Sequence, residues 1–163
     1  MKTFTTIFMV LAIVAGFILA ITPFVAEKLL PMPKDVVRVA KPEAAAMALK
    51  QWFNSPGALF TDVQALNKST NNKRTSWFSF SVGRRPIEKY IIDKKLQQTE
   101  LDNNHLKTVF FTESRPASWW QPEAIAQETF FTGEDQGRKV SLMYNPDSKR
   151  GVLVTTNINK QIN

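Results

Sequence analysis

The sequence predicts an α+β protein: an N-terminal transmembrane helix, then a small domain with a 4–5-stranded antiparallel sheet and two or three helices packed mainly on one face. Three observations predict it. No residue from Thr3 to Ala26 carries a charge. An alanine-rich segment opening at Pro42 has helical chemistry, and apolar–polar alternation with tight turns dominates the C-terminal half. The expected organisation is a signal-anchor helix over residues 1–26, a Pro-rich juxtamembrane stalk over 27–42, and one soluble domain over 43–163.

The first element is the anchor. At about 1.5 Å per helical residue, Thr3–Ala26 is long enough to cross a hydrocarbon core of about 30 Å. Its hydroxyls are threonines, which a helix conceals by bonding them to its own carbonyls. The competing reading is a cleaved secretory signal, for which Lys2 supplies a short basic start. A cut after Ala26 puts Phe24 at the −3 position, and a cut after Ala20 puts Ile18 there; both are too large. An uncleaved single-pass anchor is therefore expected, with the lipid bilayer as the first partner. Two cues to its orientation conflict. Lys28, Lys34, Arg38 and Lys41 follow the span, and the positive-inside rule then favours a cytoplasmic domain. The short basic start followed at once by the span is the layout of a signal-anchor with an exported domain. The expectation is the second: an inner-membrane protein with a periplasmic domain.

After the anchor, Pro31-Met32-Pro33 cannot continue a helix and forms a semi-rigid spacer. Pro42 and Glu43 suit a first helical turn, and the alanines that follow have the highest helix propensity. Ser55-Pro56-Gly57 stops that helix. Phe60, Val63 and Leu66 recur at spacing three and predict a second short helix. Asn67–Arg74 reads as an exposed polar loop. Trp77–Val82 switches to period two, with Phe78, Phe80 and Val82 on one face, and predicts a half-buried strand. Pro86 begins a helix that ends near Gln98. Strands follow at Leu106–Glu113, Gln127–Thr132, Lys139–Tyr144 and Gly151–Ile158, with turns at Gly133–Gly137 and Asn145–Ser148.

The chain carries a net charge of +7, unevenly spread. Between Lys68 and Lys95, eight basic residues face two acids; between Glu100 and Asp147, eight acids face four basic residues. Such asymmetry attracts anionic lipid or an acidic partner, unless the two faces compensate each other within one fold. Nucleic-acid binding is not expected, because the aromatic residues mostly fall at core-facing strand positions.

Little in the sequence points to catalysis. There is no cysteine, which excludes disulfides, thiol catalysis and thiolate metal sites. The one histidine, His105, has Asp102 nearby as an orienting carboxylate, the weak basis for a membrane-bound hydrolase. No close-spaced ligand set suggests a metal, and no glycine-rich phosphate loop suggests a nucleotide cofactor. Two constellations remain. Trp119 and Trp120, bracketed by prolines and preceded by Arg115, are the ingredients of a binding hot spot or of a plug for the sheet, one ring buried and the other partly covered. Arg84 and Arg85, beside a helix start, suit an anion, or else pair with Glu88 or with acids further along.

Sequence alone thus favours a non-catalytic interaction or scaffold subunit of an envelope assembly. The alternative is a membrane-tethered binding module for a small anionic or glycan ligand, with Arg84, Arg85, Arg115, Trp119 and Trp120 converging on one pocket.

Overall fold

The computed structural model describes residues 35–70, 73–111 and 115–158. The predicted span at Thr3–Ala26, and the stalk as far as Lys34, lie outside them. Among the described residues no helix is long and apolar enough to cross a membrane. Asp35–Asn163 forms one compact unit.

Its centre is a seven-stranded sheet, antiparallel at every pairing of neighbouring strands. In chain order the elements are β1 (Asp35–Val39), α1 (Pro42–Trp52), β2 (Thr61–Thr70), β3 (Lys73–Ser81), α2 (Arg84–Asp93), β4 (Gln97–Glu100), β5 (Thr129–Asp135), β6 (Arg138–Asn145) and β7 (Arg150–Ile158). A helical segment lies between β4 and β5: a short turn, α3 (Asn103–His105), runs into a π-helix, Leu106–Phe111, and a 3-10 turn follows at Pro122–Ile125. Strand order is β1-β2-β3-β7-β6-β5-β4. After β3 the chain crosses through α2 to the far edge and returns as a meander.

The fold class is α+β with an antiparallel sheet, as the alternation predicts, but the sheet has seven strands where four or five were expected. Three strands are additional, and one expected strand does not form. β1 falls in the segment read as stalk and pairs with β2 from Asp35↔Thr70 to Val39↔Leu66. β4 follows α2 where the sequence shows only polar residues. β2 replaces the expected second helix. Val63 and Ala65 face one side of the sheet and Leu66 the other, and all three are buried. When both faces of a strand are covered, spacing three carries no helical information. A register shift between Thr61 and Gln64, with Asp62 at φ 51°, re-aims the strand there.

Leu106–Phe111 is the reverse case: read as a strand, it is a π-helix. Leu106, Val109 and Phe110 also satisfy the i, i+3, i+4 spacing of a helix face, and Phe110 is fully buried. Asp102 starts the segment by accepting the His105 backbone N–H at 2.7 Å, and the Thr108 hydroxyl donates to the Asn104 carbonyl at 2.8 Å. Local capping and burial override the β propensity of Thr-Val-Phe-Phe.

Two cores result, one on each face. Ala45 and Leu49 of α1 and Ile87 and Tyr90 of α2 pack on Phe78, Phe80, Leu142 and Leu153. On the opposite face, Phe110, Trp120 and Ile125 cover Trp77, Met143, Val152 and Val154. Both α-helices of a full turn or more thus share one face, while the connection between β4 and β5 closes the other.

Candidate functional site: a groove of arginines on the α1 face

Beyond the reach of α1, the sheet turns polar. Strand register sets the arrangement. Arg38, Asn67, Ser76 and Thr155 stand opposite one another in one row across β1, β2, β3 and β7. Val36, Ser69, Arg74 and Asn157 form the next row. Side chains alternate along a strand, so these residues share the face of Ala65 and Phe78. Arg138 lies two positions before Val140 on β6, which returns it to the same face.

The rows floor two adjoining concavities. One, of about 380 Å³, lies between the sheet and Ala44 and Ala48 of α1, with Trp52 and Phe78 at its apolar end and Arg74 and Arg138 at its margins. The other, of about 230 Å³, is lined by Val36, Arg38, Asn67, Ser69 and Arg74. Asn67 and Arg74 belong to both. The two small alanine side chains keep this side of α1 low, which leaves the groove open.

The electrostatics are one-sided. Among the described residues no carboxylate lines either concavity. Ser76 and Thr155 are only 8% and 4% exposed. The side chains of Arg38, Asn67, Arg74, Ser76, Thr155 and Asn157 make no hydrogen bond to any described residue. Arg38 and Arg74 are exposed, and among the described residues only Trp77 Nε1 and His105 Nδ1 are buried without a hydrogen bond, so the polar groups of the groove are open to water and available to a ligand. Arg138 is placed by Trp52, its guanidinium carbon 4.6 Å from the indole centroid, and donates to Gln136 Oε1 at 3.0 Å. A fork of N–H donors with amides and hydroxyls beside it is suited to binding an anion.

The five residues singled out in the sequence do not converge. Arg84 Nε is 2.7 Å from Glu88 Oε1, one turn along α2, and Arg85 is exposed on the same helix. Arg115 pairs with Glu123 and sits 5.6 Å from the centroid of the Phe111 ring. Trp120 is fully buried and its Nε1–H donates to the Phe110 carbonyl at 2.7 Å; Trp119 is half-buried and meets Trp120 edge-on at 5.9 Å. α2 belongs to one face of the sheet and the tryptophans to the other.

His105 Nδ1 lies 3.0 Å from Asp102 Oδ1 but makes no hydrogen bond, and the ring leans on Phe130 at 5.4 Å. The Asp102 carboxyl is held below its ordinary range, chiefly by the His105 backbone N–H. The pair therefore reads as a helix cap. A further cleft of about 420 Å³ lies beside Tyr90, Lys94 and Asp135. Asp135 accepts from Tyr90 Oη at 3.3 Å and from Lys94 Nζ at 2.9 Å, so its oxygens are taken up internally. Burial first, and Asp135 second, raise the Tyr90 hydroxyl well above its ordinary range.

Sequence reading missed Arg38, Arg74 and Arg138 as a group because they belong to three separate strands. The usable signal was the alternation Arg74-x-Ser76-x-Phe78, a strand that turns from polar to apolar along one face. Comparison with protein-family models, curated proteins and solved structures finds no match to this chain.

Proposed function

We propose that this chain is a single-pass, membrane-anchored, non-catalytic binding module that takes an anionic ligand in the Arg38–Arg74–Arg138 groove. The observation behind this reading is the groove itself: guanidinium groups and unpartnered amides and hydroxyls, with no described carboxylate among them. The uncharged run Thr3–Ala26 supports an inner-membrane anchor, and the signal-anchor layout supports a periplasmic domain. Tethering then raises the local concentration of the domain toward ligands at that surface. The test is retention on immobilised anionic and neutral matrices by the full-length protein in uncharged detergent. Arg74→Glu is expected to abolish anion retention while Arg85→Glu leaves it intact; equal retention of both variants would defeat the proposal. A reporter fused after Asn163 checks the periplasmic side.

A second reading, an interaction or scaffold subunit of an envelope assembly, is favoured by the edge strand. Val36, Val37 and Val39 of β1 are 37%, 54% and 73% exposed on a strand with one neighbour. Affinity purification at native expression, followed by identification of what accompanies the protein, tests it. Recovery of the protein alone would remove its support.

A further inference from the structure

We infer that the ligand of this groove is a linear acidic glycan lying across the strands, an inference that rests on the anion-binding reading above. The argument is one of spacing. Arg38 is on β1, Arg74 on β3 and Arg138 on β6, and the strand order β1-β2-β3-β7-β6 puts two strand steps between each successive pair. Neighbouring strands lie about 4.8 Å apart, and Arg38 stands one row along from Arg74, so successive positions recur at about 10–12 Å. A single phosphate or carboxylate engages at most one or two of them. A chain with charges repeated along its length engages all three.

Between the arginines the floor changes character. Asn67, Ser76, Thr155 and Asn157 present amides and hydroxyls that have no other described partner, and these complement a ligand rich in hydroxyl groups. Trp52 and Phe78 flank the floor, edge to face with ring centroids 5.2 Å apart. Trp52 already carries Arg138 on its ring and Phe78 is 5% exposed. Neither offers a free face on which a nucleobase or a sugar ring stacks, so recognition falls to the arginines and to the amides and hydroxyls of the floor. An acidic peptide that adds its backbone to the sheet would do so along the β1 edge, whereas beyond β1 the groove runs across β2, β3, β7 and β6, whose main-chain groups are already paired.

The test uses the full-length chain in uncharged detergent and titrates a galacturonate hexamer, galacturonate itself, the fully methyl-esterified hexamer and a glutamate hexapeptide. The acidic hexamer is expected to bind at least tenfold tighter than each of the others. Arg38→Gln, Arg74→Gln and Arg138→Gln are each expected to weaken it at least threefold, and Arg85→Gln is expected to leave it unchanged. If monomer and hexamer bind alike and Arg74→Gln still weakens both, the linear ligand is excluded while anion binding stands. A peptide that matches the hexamer overturns the glycan. Binding of no anion in an Arg74-dependent manner overturns both readings.

Discussion

Gly151 sits where β7 passes directly beneath two rings. A Cβ at this position would lie 2.7 Å and 2.9 Å from Phe80 ring carbons and 3.3 Å from Tyr144 Cδ2. Both rings are buried, and Tyr144 is held by its hydroxyl, which donates to the Val82 carbonyl at 2.8 Å. Neither can swing away without breaking other contacts. Gly151→Ala should therefore destabilise the domain by about 1–3 kcal/mol, the usual penalty of overpacking, read as a lower urea midpoint. Trp120 poses the complementary case. Phenylalanine preserves most of its apolar volume but removes the Nε1–H that satisfies the buried Phe110 carbonyl. Trp120→Phe should cost about 1–3 kcal/mol for the orphaned acceptor, and Trp119→Phe, at a half-buried position, distinctly less. The Trp-Trp pair was legible as a plug in the sequence because two adjacent indoles cannot both be buried on one side of an irregular segment. Which one is buried was not legible, since that depends on where the Phe110 carbonyl points.

At the scale of elements, the π-helix and α2 are each fastened by a titrating contact. The Asp102 carboxylate accepts the His105 N–H at the start of α3, and its pKa is depressed in the fold. A depressed carboxyl stabilises the fold above its unfolded pKa, about 3.9, and that contribution fades as pH falls through the folded value. Amide exchange in residues 103–111 should be faster in Asp102→Ala than in the wild type at pH 6, with the difference closing in acid. A difference that persists unchanged below the carboxylate range would show that capping is not its cause. Tyr90 behaves oppositely. Its hydroxyl is raised by burial and by Asp135, so its contribution is whole below its unfolded pKa, about 10, and drains away as pH rises toward the folded value. Tyr90→Phe should flatten the alkaline limb of the stability profile, measured by urea unfolding between pH 8 and 11. The elements that sequence misplaced share a cause. β2 is buried on both faces, and Leu106–Phe111 fits two periodicities at once, so tertiary covering decided each assignment. α1 and α2 were legible because Pro42, the alanines and Pro86 act locally.

At the scale of the whole domain, one sheet serves two cores and one open groove. The groove was not legible, since Arg38 reaches Asn67, Ser76 and Thr155 only through the registers of three strand pairs, and one sequence does not specify register between distant strands. The cores make a sharper claim. Trp77 on β3 faces one of them while its neighbour Phe78 faces the other, and Leu153 and Val154 on β7 divide in the same way. Losing either layer strips one face of β3, β7 and β6, the strands that the other layer needs. The layers should therefore unfold together. The four tryptophans report on both sides: Trp52 packs against the first core, and Trp77, Trp119 and Trp120 belong to the second. With 5-fluorotryptophan at all four positions, ¹⁹F spectra in a urea series should lose every native resonance at one common midpoint, coincident with the far-ultraviolet circular dichroism of the sheet. A Trp52 resonance that survives after the other three have gone would mean that the α1–α2 layer holds the sheet without the second core. In that case the helical segment between β4 and β5 is a detachable cover, and the shared strands do not couple the two faces.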